Sequence, residues 1–165
     1  MKVKEIMTPN AKACTPTDTL AAAARFMWDN NCGILPVVKD GGKVVGLITD
    51  RDICMAAAIN NRNLSNIAVE DVISGKVYSA SADDDVRKAL EIMQDRKIRR
   101  LPVVAGDGTL DGMLSLNDVV LRAQQAKDKE NPDIAYADVV NTYKAICAHP
   151  LPLRQMQAAV VGGVS

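Results

Sequence analysis

Apolar residues in this chain fall into two spacings that alternate twice. At helical spacing lie Leu20, Ala23, Ala24 and Met27, and later Val86, Ala89, Leu90 and Met93. Each stripe predicts a helix with one face on a core. After each stripe come two short runs rich in branched residues, parted by glycine. The first pair is Ile34–Val38 and Val44–Ile48 around Asp40-Gly41-Gly42; the second is Leu101–Val104 and Leu110–Leu114 around Gly106-Asp107-Gly108. Such pairs predict β-hairpins. A closing helix is expected after Thr49 and after Ser115. Ahead of the stripes lie opening segments (Val3–Thr8, Val69–Ser74) and brief extended pieces (Ala11–Thr15, Val77–Ser81). Thr17 or Asp18, and Asp83 or Asp84, are the expected caps of the two stripe helices.

The two series are one series repeated. A shift of 66 residues aligns residues 3–52 with 69–118 without a gap, and 12 of those 50 positions are identical. Two copies are too few for a solenoid; they suggest two modules related by an approximate twofold axis, each covering the other's exposed face. The repeated stretch with the most chemistry is Gly46-Leu47-Ile48-Thr49-Asp50-Arg51-Asp52, matched by Gly112-Met113-Leu114-Ser115-Leu116-Asn117-Asp118. A hydroxyl residue sits where a helix would be capped, and an Asp follows three positions on. The pattern has two readings. One is a capping box that only finishes a helix. The other is a nucleotide site: the first turn offers unpaired N–H groups and partial positive charge to an anion, and the Asp accepts hydrogen bonds from sugar hydroxyls.

Around these modules the chain divides into a first domain at 1–60, an Asn-rich linker at 61–68, a second domain at 69–127, and a helical or partly disordered tail at 128–165. The last closing helix is expected to run into Lys127-Asp128-Lys129 and to stop at Asn131-Pro132, where the residue before proline leaves the helical region. In the tail, Val139, Tyr143, Ile146 and Cys147 form another helical stripe.

Composition narrows the function mostly by exclusion. With 20 basic and 20 acidic residues the chain is neutral, and only five residues are aromatic. That argues against a nucleic-acid surface, which needs positive charge and stacking platforms. No apolar run has the length of a membrane span, and the start lacks a signal peptide's apolar run. Cys14, Cys32, Cys54 and Cys147 lack Cys-x-x-Cys spacing and read as reduced, mostly buried thiols of a cytoplasmic protein. The one histidine is His149. No metal-ligand spacing, phosphate loop, dinucleotide fingerprint or nucleophile-base pair occurs, so no metal and no enzymatic activity are expected.

The tandem Leu-Pro-Val-Val strand, its turn, Gly-x-x-Thr/Ser-x-x-Asp, and the opening Val-Lys-Glu-Ile-Met-Thr resemble a pair of cystathionine beta-synthase (CBS) domains. The resemblance covers residues 1 to 126 and implies an α+β fold. Two pseudo-twofold-related β-α-β-β-α units would form one Bateman module, with a helical tail added. It implies two clefts that bind adenosine compounds, here AMP, ADP, ATP or S-adenosylmethionine, with no cofactor required. It also implies a homodimer, with an unidentified regulated protein as a further partner; the tail stripe would add apolar surface to the dimer. A stand-alone adenosine-ligand sensor is therefore expected. A ligand-free dimerisation or interaction scaffold is the alternative, with the motifs serving as caps.

By the same resemblance, Asp52 and Asp118 match the residue that binds ribose hydroxyls, and Thr49 and Ser115 the hydroxyl residue near the phosphates. Thr15, Pro16, Ser81 and Ala82 lie where the first strand meets the base. Ile34 and Arg100 take a cleft-facing position, and Val37 and Val103 line the base pocket or the core beneath it. The copies differ in charge. Arg99-Arg100 stands where the first copy has Gly33-Ile34, and Arg51 stands where the second has Asn117. A guanidinium fork suits phosphate oxygens, which makes Arg100 and Arg51 candidate phosphate ligands. The alternative for Arg99 and Arg100 is that they are solvated surface residues, a reading that fits Arg99 better than Arg100.

Overall fold

The computed structural model describes residues 1–60, 62–73, 75–124 and 133–148. Helix α1 spans Leu20–Asp29 and α3 spans Val86–Arg96. Leu20, Ala23 and Met27 are buried, as are Val86, Ala89, Leu90 and Met93, while Ala24 is half-buried. The caps differ from expectation. The Thr19 hydroxyl accepts from the Ala22 amide at 3.1 Å, and the Asp85 carboxylate from the Arg87 amide at 2.9 Å. Asp18 and Asp84 close the preceding turn instead, accepting the amides of Thr15 and Ser81 at 2.7 and 2.9 Å. Both positions carry polar side chains, so composition alone does not say which one begins the helix.

Strands β2 (Ile34–Lys39) and β3 (Lys43–Thr49) pair antiparallel, as do β4 (Arg100–Val104) and β5 (Leu110–Ser115). The registers match across the repeat. Ile34 faces Thr49, Arg100 faces Ser115, and each hairpin shifts register at the same place, Val37/Val38 and Val103/Val104. The turn glycines Gly42 and Gly108 take φ of 77° and 88°, a region closed to most side chains. Each expected extended piece makes only one parallel bridge, Cys14 with Val37 and Ala80 with Val103. Helices α2 (Asp50–Asn60) and α4 (Leu116–Arg122) follow the hairpins. Helix α4 stops short of the expected Lys127: Ala123 is extended, and Gln124 bridges Ala135. The expected stop at Asn131-Pro132, His149 and the end of the tail lie outside the described residues.

The opening segments cross between halves. Val3 and Ile6 are buried with the second half's α3, β4 and β5, whereas Ile67 and Val69 are buried with α1, β2 and β3 of the first. Three backbone hydrogen bonds hold each crossing, and they correspond pair by pair. Val3 N donates to Asp84 O and Val69 N to Asp18 O; Lys4 N to Ala82 O and Glu70 N to Pro16 O; Val86 N to Met1 O and Leu20 N to Ile67 O, all at 2.8–3.1 Å. A short strand β1 (Thr8–Pro9) then pairs with β5 beside Met113 and Gly112. Lys43 bridges its own repeat counterpart Thr109, which places that pair at the pseudo-twofold axis.

Helix α5 (Tyr136–Cys147) packs on α3 and α4 and joins the second core through Val139 and Ile146. The stripe differs from expectation at two positions. Thr142 is fully buried and Cys147 is exposed, with Tyr143 half-buried. Burial of Thr142 is tolerated because its hydroxyl is satisfied, donating to Asp138 O and accepting from Gln94 Nε2, both at 2.8 Å. Val139, Tyr143 and Ile146 of the stripe thus pack on this chain's own second core. The first half differs at Trp28, which matches Gln94 in the repeat and is 83% exposed; Met55 and Ile59 of α2 are also exposed. The cysteines also depart from expectation. Cys14 is buried, Cys32 half-buried, and Cys54 and Cys147 are exposed. Burial, with Asp18 nearby, pushes the Cys14 thiol up to about 11.

The motif glycines make room for the crossings. A Cβ on Gly112 would lie 2.5 Å from the Thr8 carbonyl oxygen, whereas one on Gly46 would meet the end of the Ile73 side chain at 2.6 Å. A backbone atom in a paired strand cannot yield as a flexible side chain can. Gly112→Ala is therefore expected to cost about 2 kcal/mol or more, and Gly46→Ala under about 1.5 kcal/mol. Urea denaturation checks this; equal midpoints for the two variants would show that β1 leaves β5 freely.

Candidate ligand clefts

The repeated motif builds the same local structure twice. The Thr49 amide and hydroxyl donate to Asp52 Oδ2 at 3.0 and 2.6 Å, and the Asp52 amide donates back to Thr49 Oγ1 at 3.2 Å. In the second half the Ser115 amide and hydroxyl reach Asp118 Oδ2 at 2.7 and 2.6 Å, and the Asp118 amide returns to Ser115 Oγ at 3.3 Å. The capping box is therefore real. It uses only one oxygen of each carboxylate. Oδ1 of Asp52 and of Asp118 has no hydrogen-bond partner among the described residues, and both side chains are half-buried. Each Asp can cap its helix and still accept a hydrogen bond from a ligand.

Two cavities open on these carboxylates. One, of about 380 Å³, contains Thr49, Asp52, Ile34 and Leu47 from the first half, with Lys76, Tyr78, Lys97, Ile98, Arg99 and Arg100 from the second. The other, of about 290 Å³, contains Ser115, Asp118, Arg100 and Met113 from the second half. Across from them stand Thr8, Ala11, Lys12, Asn30, Cys32 and Ile34 of the first. Both volumes sit near the lower end of the range for small-molecule sites. The clefts are counterparts under the repeat: Tyr78 stands where the other has Lys12, Ile98 where it has Cys32, and Leu47 where it has Met113. Ile34 and Arg100, which start the repeat-equivalent strands β2 and β4, line both.

The structure places the expected residues unequally. Asp52, Thr49, Asp118, Ser115, Ile34 and Arg100 are gathered at the clefts. Val37 and Val103 are fully buried in the two cores. Thr15, Pro16, Ser81 and Ala82 line neither cleft. Thr15 and Ser81 are tied into the turns closed by Asp18 and Asp84, and the carbonyls of Pro16 and Ala82 receive the crossing segments. Arg51 is exposed and lines neither cleft.

Sequence reasoning missed Lys12, Lys76, Tyr78 and Lys97. The repeat held the signal for Tyr78, since a residue facing one cleft has a counterpart facing the other. Tyr78 is packed by cations: Lys76 Nζ lies 5.4 Å and Arg96 Cζ 4.6 Å from its ring centroid. A hydrogen bond with Lys76 and the charge of Arg96 hold its phenol below the usual value. Among the described residues no group of His, Cys, Asp and Glu could hold a metal ion, and no helix is long and apolar enough to cross a membrane.

The profile of the CBS domain matches residues 3–59 and 69–124, and the chain belongs to that family as a tandem pair. A 17.7 kDa protein of Acidianus ambivalens is 36% identical over 118 residues, covering 72% of this chain and 70% of its own. The solved CBS domain pair of protein MJ0100, in complex with 5'-methylthioadenosine and S-adenosyl-L-methionine, superposes with a TM-score of 0.66. It is 26% identical and covers 73% of this chain and 94% of its own. CBSX2 in complex with AMP gives a TM-score of 0.63 at 26% identity, covering 73% of this chain and 93% of its own. CBS pairs are generally regulatory rather than catalytic.

Removing either carboxylate separates its two tasks. Asp52→Ala or Asp118→Ala is expected to lower ligand-free stability by roughly 0.5–2 kcal/mol, the usual worth of a cap. If the free Oδ1 also serves a ligand, adenosine affinity falls in each variant beyond what the stability loss explains. Thermal melts with and without adenosine read both effects; a stability loss with unchanged affinity would leave the carboxylates as caps only.

Proposed function

We propose that this protein is a regulatory CBS pair that binds adenine nucleotides or adenosyl ligands in its two clefts and signals through a change of conformation or dimer geometry. The observation that carries the reading is the pair of half-buried carboxylates, each lining a cavity, with one oxygen used by the cap and the other without a hydrogen-bond partner among the described residues. Ligands in the two similar pairs, methylthioadenosine, S-adenosylmethionine and AMP, share an adenosine core with a ribose. In this reading Asp52 and Asp118 take ribose hydroxyls, Ile34 takes part of the base, and Thr49, Ser115 and Arg100 take phosphate. Such a ligand regulates only by binding one state of the protein better than another. No reaction is assigned.

Calorimetric titration with adenosine, AMP, ADP, ATP and S-adenosylmethionine tests the reading. At least one is expected to bind below millimolar concentration; none doing so would sink it. Arg100→Ala is expected to weaken AMP about tenfold or more, and adenosine far less, since a charge-assisted hydrogen bond is worth roughly 1.5–3 kcal/mol. Equal losses would mean that Arg100 shapes the cleft without touching phosphate.

The exposed Trp28, Met55 and Ile59 support a homodimer joined through α1 and α2. Beside them a cavity of about 370 Å³ opens between Met27, Trp28 and Ile53. In the second half the counterpart of Trp28, Gln94, is packed against α5, while Leu121, the counterpart of Met55, is also exposed. Light scattering is expected to give twice the 17.7 kDa chain mass, and Trp28→Asp to halve it; a monomer at all micromolar concentrations would refute the dimer.

A further inference from the structure

The chain is neutral, but its charge is not spread evenly between the clefts. The Asp52 cleft gathers Lys76, Lys97, Arg99 and Arg100 around a single carboxylate. The Asp118 cleft has Lys12 and the shared Arg100 around its own. The repeat counterparts of Lys76, Lys97 and Arg99 are Asn10, Asn31 and Gly33, all uncharged. A Cβ at Gly33 would lie 2.8 Å from Asp50 Oδ2, so a side chain there would have to displace that carboxylate. The backbone is conserved across this difference, since Asn31 and Lys97 both take positive φ, 49° and 54°.

These cations are not spent on strong partners. Lys97 Nζ donates to the Ala148 carbonyl at the end of α5, an exposed neutral contact, and Lys76 rests on Tyr78. Arg99 and Arg100 form no ion pair among the described residues. Four like charges converging on one concave site raise the local potential and attract a polyanion. Arginine forks and lysine ammoniums are the groups that hold phosphate oxygens.

We propose that the Asp52 cleft is a polyphosphate site: it takes a nucleoside di- or triphosphate, whereas the Asp118 cleft takes an adenosyl ligand bearing one phosphate or none. The assignment of a nucleoside rests on the proposed function above; the assignment of a polyphosphate rests on the cations alone. It gives the two halves separate ligands despite their shared fold. It also makes Lys97 a point of contact between that ligand and the end of α5.

The test is the triple variant Lys76→Asn, Lys97→Asn, Arg99→Gln, with each single variant alongside to guard against a folding defect. Wild type and variants are titrated with adenosine, AMP, ATP and inorganic tripolyphosphate, in an Asp118→Ala background that leaves one cleft intact. In that background ATP is expected to bind at least about tenfold more tightly than AMP, the worth of one good charge-assisted contact. The triple variant is expected to lose that margin and to lose tripolyphosphate binding, while adenosine stays within about twofold. Adenosine or AMP binding without preference for ATP would overturn the polyphosphate site and leave the adenosine reading standing. Equal loss of all ligands in the triple variant would overturn it too, assigning the cations to the shape of the cleft. Tripolyphosphate binding that the variant abolishes, with no adenosine compound binding, would uphold the polyphosphate site and remove the adenosine reading.

Discussion

The structure depends on an exchange. Each half of the chain lacks one wall of its own core and receives it from the segment that opens the other half. Val3 and Val69, both fully buried, are the apolar ends of this exchange, and the paired backbone hydrogen bonds around Asp18 and Asp84 are its polar part. A buried backbone group left unpaired is costly, so each crossing segment is fixed in register by its own amides as well as by its side chain. Neither half closes alone. That joins two small cores, each marginal at its size, into one unit. It also holds β2 and β4 near each other, and the clefts lie where those strands begin.

From this constraint follows a division between what the repeat keeps and what it lets vary. Core positions are kept within narrow limits of size because close packing penalises both voids and excess. Leu35 and Leu101, Val37 and Val103, and Met27 and Met93 occupy matching buried places. Positions facing the clefts and the helical faces carry no such limit. There the halves diverge, with four cations lining one cleft and two the other, and Gln94 packed under α5 where its counterpart Trp28 is bare. The pseudo-symmetric frame thus carries an asymmetric surface.

Much of this frame was legible in the sequence. The helix stripes, both hairpins with their turns, and the motif at β3–α2 and β5–α4 fall where periodicity and the repeat put them. Three features were not legible, each for a physical reason. The crossing could not be read because periodicity reports that a residue is buried, not in which core. The caps at Thr19 and Asp85 sit beside Asp18 and Asp84, equally good acceptors that close another turn. Thr142 was passed over because a threonine reads as polar until Gln94 and Asp138 are seen to satisfy it. At the clefts, Asp52 and Asp118 of the repeated motif, and Ile34 and Arg100 from the family resemblance, line the cavities as expected. Lys12, Lys76 and Lys97 were missed, because a charged residue in a loop has no periodicity to mark its direction.

The two readings of Gly-x-x-Thr/Ser-x-x-Asp, cap or ligand site, were posed as rivals, and the geometry removes the conflict. A carboxylate has two oxygens, and capping occupies one. The hydrogen bonds from the amide and hydroxyl of Thr49 or Ser115 fix the orientation of the whole group, so the second oxygen is held in place before any ligand arrives. A side chain already ordered loses little further entropy on binding, which is the thermodynamic use of pre-organisation. The cap is therefore part of what makes the free oxygen useful. Arg100 stands differently. It lies on the wall common to both clefts, and one guanidinium cannot take its best geometry toward two separate anions. On the proposed reading, anions in the two clefts compete for this one shared cation, and that competition would couple the two sites.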